Sequence, residues 1–213
     1  MRFRPVPGPC RERTGSHDHA ITGSPTSGEG AIMAGTLVTL QTFLTLDGVM
    51  QAPGGPEEDT SSGFEHGGWS VPYADEEFGA AVDGWFRRGE GYVLGRRTYD
   101  IFAGYWPHVT DPDESPIAEK LNGLPKYVAS RTPDLPLEWQ HSTQLGPDVV
   151  AEVTALKRRE PEHPGGELQI HGSGELARTL HAAGLIDVYR LFVYPVVLGS
   201  GKRLFPEAAP RRR

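Results

Sequence analysis

The sequence holds a single cysteine, Cys10, in 213 residues. No disulfide can form within the chain, and a paired-cysteine metal or redox motif is excluded. No apolar run approaches the ~20 residues needed to span a bilayer. The first residues also lack the continuous apolar core of a secretory signal, so the expectation is a cytoplasmic protein with no membrane partner. Basic charge is short too: 21 Lys and Arg against 28 Asp and Glu give a formal net charge of −7. That balance argues against a general nucleic-acid binder, which needs a net basic face. There is no His-Glu-x-x-His motif and no repeated acid motif to suggest a metal, and no Gly-x-Ser-x-Gly elbow to suggest a hydrolase. With neither metal nor nucleophile in view, a bound organic cofactor is the expected source of chemistry.

Glycine and proline, by contrast, are plentiful at 27 and 19 residues. Part of the excess lies in residues 1–33, rich in Pro, Gly, Ser, Thr and charge and without a periodic apolar face. Such a segment buries too little apolar surface to offset ordering, so a disordered N-terminal extension is expected, with Met33 a candidate natural start. Residues 34–206 read as one domain and 207–213 as a tail. "TLVTLQTFL" is rich in β-formers and reads as the first strand. The stretch from Thr45 to Tyr73 is a Gly-, Pro- and acid-rich loop, long enough inside a compact domain to suggest function. Phe78, Ala81, Val82, Trp85 and Phe86 then recur at helical spacing. Further strands are expected at "GYVLG", "PKYVASR", "GELQIHG" and, as a long last one, "LIDVYRLFVYPVVLG". Helices are expected at "RRTYDIFAGYW", "DVVAEVTALKRRE" and "SGELARTLHAAG". Alternation of this kind implies an α/β domain, a largely parallel sheet with helices on both faces. The last strand would remain a flat apolar edge, an arrangement natural proteins avoid, and a homodimer is the expected remedy.

In open parallel sheets, ligands bind beyond the carboxyl ends of the strands. Three strand ends here carry an unusual set: Gly95, Arg96, Arg97 and Thr98; Ser130 and Arg131; Gly172, Ser173 and Gly174. Glycines let a phosphate approach the backbone, helix N-termini offer free N–H groups, and arginine adds a bidentate grip. Gly172-x-Gly174-x-x-Ala177 also fits the strand–turn–helix fingerprint of dinucleotide sites, though it comes too late in the chain for a Rossmann layout. Each feature has a plainer reading: a tight turn, a solvated arginine pair, a strand exit. Glu175 would either repel a phosphate or satisfy helix N–H groups. Asp47 at the first strand end could hydrogen-bond a heterocycle or relay a proton, or be an ordinary Asp-Gly turn. His66 and Trp69 could line a pocket, with Trp69 better explained by packing, and His171 reads as structural.

At "FLTLDGVMQAPGG", "LGRRTYDIF", "KYVASRT", "IHGSGEL" and "VYPVVLGSGKRLF" the sequence resembles, in order and spacing, the dihydrofolate reductase-like family. Within it, the resemblance is closest to the reductase domain of the bifunctional riboflavin-biosynthesis deaminase–reductases. The resemblance covers roughly Thr36 to Phe205. It implies a three-layer α/β/α domain, mostly parallel with a final antiparallel portion, and an NADPH-dependent reductase acting on a pyrimidine- or pterin-like small molecule. It implies NADPH phosphates at Gly95, Arg96, Thr98, Ser130 and Arg131, and pyrophosphate at Gly172, Ser173, Gly174 and Glu175. Asp47 would be the catalytic, substrate-side residue, and the early Gly/Pro loop would cover the nicotinamide. The ribosylamino-uracil intermediate of riboflavin synthesis is the first substrate to consider. The family's closing strand and hairpin after "GSGKRLF" have no evident counterpart, and neither does the deaminase zinc motif. The alternatives are a dihydrofolate reductase-like enzyme with another substrate, or a non-catalytic nucleotide-binding or dimerisation module.

Overall fold

The computed structural model describes residues 35–112 and 114–205. The N-terminal extension with Cys10 and the 207–213 tail lie outside the described residues. Six strands form one sheet: β1 (Leu37–Thr45), β2 (Gly89–Gly95), β3 (Lys126–Ala129), β4 (Ser142–Gln144), β5 (Glu167–His171) and β6 (Val188–Tyr194). Their order is β4-β3-β2-β5-β1-β6, and every strand pairing is parallel. Parallel strands need crossovers, and α-helices supply all of them but the β3–β4 connection, which is a loop: α1 (Glu76–Phe86), α2 (Arg96–Tyr105), α3 (Ser115–Gly123), α4 (Val149–Lys157) and α5 (Gly174–Ala182).

Both sheet faces are covered, which makes the domain a three-layer α/β/α sandwich. Val38, Leu40, Val93, Leu168 and Ile170 pack against Val153 and Leu156 of α4 and against Leu176, Ala177 and Leu180 of α5. On the opposite face Tyr92, Leu94 and Val128 meet Phe86 of α1, Tyr99 of α2 and Leu121 of α3. Alternate residues of β2 thus enter different cores, as the two-residue period of a strand requires. The helix starts follow from local chemistry: Asp75 caps α1 by accepting from Phe78 N at 2.8 Å, and Asp148 caps α4 by accepting from Ala151 N at 3.0 Å. Gly184, at φ 70°, closes α5, and Leu185 N–H returns to the Leu180 carbonyl.

Three expectations need correcting. The last strand is shorter than its apolar run: Asp187 takes the Val38 N–H with its carboxylate, so β6 opens only at Val188. Pro195, which has no N–H for a ladder, directly follows its end at Tyr194. The antiparallel portion reduces, among the described residues, to a bridge between Val49 and Arg203. Two elements, α3 and β4, occupy stretches that read as loop. No helix of the described residues is long and apolar enough to cross a membrane.

Candidate functional site

The ends of β3, β2 and β5 are neighbours in the sheet, so Ser130–Arg131, Gly95–Thr98 and Gly172–Glu175 share one edge. The β5–α5 turn is made by two successive left-handed residues, Gly172 at φ 55° and Ser173 at φ 49°. Glycine takes that conformation freely; serine does so under strain, which its side chain offsets by hydrogen bonding. Ser173 Oγ accepts from Gly95 N at 2.9 Å and donates to the His171 carbonyl at 2.9 Å. Ser173 N in turn donates to Thr98 Oγ1 at 3.1 Å. The two small-residue turns are therefore one hydrogen-bonded unit, and the Thr98 and Ser173 side chains shape it from within. Gly174 has a different reason: a Cβ there would lie 2.8 Å from Met50 Sδ, so its absence lets the long loop rest on the turn.

Neither α2 nor α5 has a side-chain cap at its N-terminus, which leaves first-turn N–H groups facing the edge. Around them stand guanidinium groups that already hold carboxylates. Arg96 Nε donates to both oxygens of Asp100 at 2.7 and 2.6 Å, and Arg131 reaches Glu175 at 3.2 Å. The Arg131–Glu175 pair is almost fully exposed, at 95% and 77% of the two side chains. Exposed pairs contribute roughly 0–1 kcal/mol, so these arginines can exchange a carboxylate for a phosphate at small cost. Glu175 neither caps α5 nor stands isolated; it is the partner of Arg131. Ser130 Oγ accepts from Thr132 N at 3.0 Å and shapes the strand exit. The chemistry of this donor set, with two uncapped helix starts and redeployable arginines on one edge, fits a dinucleotide's phosphates.

Asp47 lies at the end of β1, and its carboxylate is committed to a turn. It accepts from Thr45 Oγ1 at 2.6 Å, Leu198 N at 3.2 Å and Gly199 N at 2.9 Å, with Arg203 at 3.5 Å. The Thr45 hydrogen bond, outweighing the opposing effect of burial and joined by the backbone donors of Leu198 and Gly199, lowers its pKa to about 2. In this geometry Asp47 is an ionised anchor joining the β1 exit to the chain after β6, with no proton to give at neutral pH. The long loop is likewise tied down. Gln51 Nε2 donates to the Asp59 and Ser61 carbonyls at 3.0 Å each, and the buried Trp69 donates to the Gln51 carbonyl at 2.8 Å. Trp69 is thus packing, edge-on to Tyr194. His66 stands exposed beside Phe64. Among the described residues no group of three or more His, Cys, Asp or Glu could hold a metal ion.

Sequence reasoning passed over a buried polar row on the α1–α3 face of the sheet. Glu167, 2% exposed, receives Arg190 through two bonds of 2.6 and 2.7 Å and Thr39 Oγ1 at 3.1 Å. Gln169 Nε2 donates to the Trp85 carbonyl at 2.6 Å, which turns its Oε1 toward His171 Nε2 at 3.1 Å. An acceptor at that position requires the proton on Nε2. His171 also stacks on Phe86, with rings 4.8 Å apart and 7° from parallel. Burial lowers its pKa to about 3, so the ring is neutral at physiological pH. The polar alternation of "ELQIH" was the available signal, but alternation ordinarily marks a solvated face, and here that face lies under α1.

A Bacillus subtilis (strain 168) protein, the uncharacterized protein YyaP, is 28% identical over 175 residues, or 82% of each chain. Among solved structures, a Shewanella sp. PV-4 protein assigned to riboflavin biosynthesis is similar at a TM-score of 0.49 and 18% identity. The match covers 83% of this chain and 86% of that one. A dihydrofolate reductase from Enterococcus faecalis, complexed with NADP(H) and RAB-propyl, is similar at a TM-score of 0.48 and 16% identity, over 80% and 77% of the two chains. The family model described as the RibD C-terminal domain matches residues 36–212, a span that contains all six strands and all three strand-end turns. The chain belongs to the RibD C-terminal domain family.

Proposed function

We propose that the chain is an NADPH-dependent reductase of a pyrimidine- or pterin-like heterocycle, with the ribosylamino-uracil intermediate of riboflavin synthesis as the first candidate substrate. Family membership supports a reductase-like role. The observation that carries the cofactor reading is the single hydrogen-bonded edge formed by the β2 and β5 turns beside the β3 exit. Gly95, Arg96, Ser130, Arg131, Gly172, Gly174 and Glu175 border that edge and would hold the cofactor, with Thr98 and Ser173 fixing its shape. When bound, a nicotinamide supplies the hydride. The chain's own part is to orient the rings and exclude water, and the long loop, anchored through Gln51 and Trp69, suits the second task. Asp47 contributes by pinning that loop's start.

The test is NADPH oxidation followed spectroscopically, with the uracil intermediate and dihydrofolate offered in parallel. Turnover of the first alone is the expected result. Cofactor binding without turnover of either would reduce the protein to a nucleotide-binding module. We further propose that the protein works in the cytoplasm as a homodimer, through the outer edge of β6. That edge has no strand partner among the described residues, and Leu191 and Val193 beside it are 37% and 58% exposed.

A further inference from the structure

Lys126, the first residue of β3, is wholly buried, yet no carboxylate bonds it among the described residues. Its Nζ donates to three backbone carbonyls at the C-terminal end of α3: Leu121 at 2.7 Å, Asn122 at 3.3 Å and Leu124 at 2.8 Å. Carbonyls at a helix end lack intrahelical partners and carry the negative end of the dipole, so an ammonium suits them. The indole of Trp139 covers the same ammonium, with Nζ 4.4 Å from the ring centroid. Trp139 lies in the β3–β4 loop and is held from two sides. Its backbone N donates to Tyr99 Oη of α2 at 3.0 Å, and its Nε1 donates to Asn122 Oδ1 of α3 at 2.7 Å. That loop opens with Ser130 and Arg131, directly after β3, and Gln144 of β4 steadies its start by donating to the Thr132 carbonyl at 2.6 Å. One buried ammonium therefore joins α3, the root of β3 and the loop that carries Arg131.

We propose that Lys126 is a positioning residue for the candidate cofactor edge: its ammonium pins the β3–β4 loop that presents Ser130 and Arg131, and loss of its proton in mild alkali loosens that loop. The donor count gives the reason. An ammonium has three N–H groups for the three carbonyls and a positive charge for the indole. A neutral amine has two N–H groups, a lone pair that repels the third carbonyl, and no charge. Burial pushes Lys126 down from an ordinary 10.5 to about 8, within reach of mild alkali. The folded chain then gives up this proton before the unfolded chain does, which by itself raises stability as pH climbs from 8 toward 10.5, so the loosening is local and not a step toward unfolding. On the elements packed against Lys126, the buried ionisable side chains are Tyr92 of β2 and Tyr99 of α2. Burial pushes the Tyr92 phenol up, which keeps it neutral in this range. Glu119 and Lys120 of α3, and Glu138 and His141 of the loop, are exposed. The consequence for phosphate binding rests on the proposed cofactor reading; the pin itself does not.

The test is a pH series on the whole chain, from about pH 7 to about pH 10, read in three ways. The emission of Trp139, taken as the difference between the unsubstituted protein and Trp139→Phe, should titrate with a midpoint near 8. Hydrogen-exchange protection of the amides in residues 130–141, corrected for the intrinsic rise with pH, should fall over the same interval. The Kd for NADPH should weaken by about threefold to tenfold, the upper figure matching complete loss of one Arg131 contact. Lys126→Arg keeps its charge throughout and should flatten all three profiles. Lys126→Met should show the alkaline behaviour already at pH 7. The profiles of the unsubstituted protein decide the matter should either variant fold poorly. Indole emission and loop protection that stay constant across the series would overturn the proposal, and so would an NADPH affinity that holds steady while the loop loosens. Absence of NADPH binding at every pH would defeat the cofactor reading alone, and the emission and exchange profiles would still decide whether Lys126 pins the loop.

Discussion

His171 shows how much a single buried side chain can hold in place. Its folded pKa lies near 3 against an ordinary 6.5 because burial disfavours the charged ring. The unfolded chain therefore binds the proton that the folded chain refuses, and stability is lost as pH falls from 6.5 toward 3. A depression of that size corresponds to about 5 kcal/mol at its full extent. Urea unfolding at stepped pH should show this slope, and His171→Phe, which keeps the stack on Phe86, should flatten it. Asp47 adds acid sensitivity of the same sign at lower pH, since its depressed pKa means its bonds fail only as pH falls toward 2. Glu167 makes a second test. Glu167→Gln leaves Arg190 without its carboxylate, and a fall of about 2–3 kcal/mol is expected in denaturant unfolding, below the roughly 3–5 of a fully enclosed pair. These roles were poorly legible in the sequence. Glu167, Gln169 and His171 alternate with Leu168 and Ile170, the pattern of a half-solvated strand. Only the placement of β5 between β1 and β2, under α1, shows that both faces are covered.

Among the elements, the turns were the most legible part, because small residues mark the strand ends at Gly95, Ser130 and Gly172 and arginine follows at the first two. What sequence could not show is that the Ser173 hydroxyl bonds the Gly95 N–H and the His171 carbonyl while Thr98 accepts from the Ser173 N–H, joining the two turns. Ser173→Ala removes one acceptor and one donor from the joined turns, and a loss of about 1–3 kcal/mol in thermal or urea unfolding is expected. Ser173→Thr retains the hydroxyl and should recover part of it. An unchanged stability in Ser173→Ala would mean the two turns are held independently. α3 and β4 escaped notice for identifiable reasons. α3 opens with Pro116 in its first turn, a position where the missing N–H costs nothing but which reads as a breaker. β4 is three polar residues, Ser142–Gln144, paired to β3 at the sheet margin, and no apolar signal marks it. Apolar content continues beyond both ends of β6, so the sequence reads as a longer strand, while Asp187 and Pro195 limit the ladder.

For the whole molecule, the alternation of strands and helices gave the α/β class and the parallel sheet, since crossovers of helical length leave few other solutions. Strand order was not legible: placing β5 between β1 and β2 is a long-range pairing that no local pattern encodes. That order gathers the three turns on one edge. It also leaves β6 at the margin with Tyr189, Leu191 and Val193 partly exposed on one side. If a second copy covers that margin, sedimentation at micromolar concentration should report a dimer, and Leu191→Lys with Val193→Lys should return a folded monomer. A monomer without substitution would contradict it. We propose that the shared edge of β3, β2 and β5 holds the phosphates of NADPH. The most direct measurement is isothermal titration of the protein with NADPH, with NADH and an Arg131→Ala variant alongside. Saturable NADPH binding, weaker NADH binding and a loss of about tenfold in the variant are expected, near the 1.4 kcal/mol of one charge-assisted contact. No NADPH binding by a folded protein, or equal affinity in the variant, would contradict it.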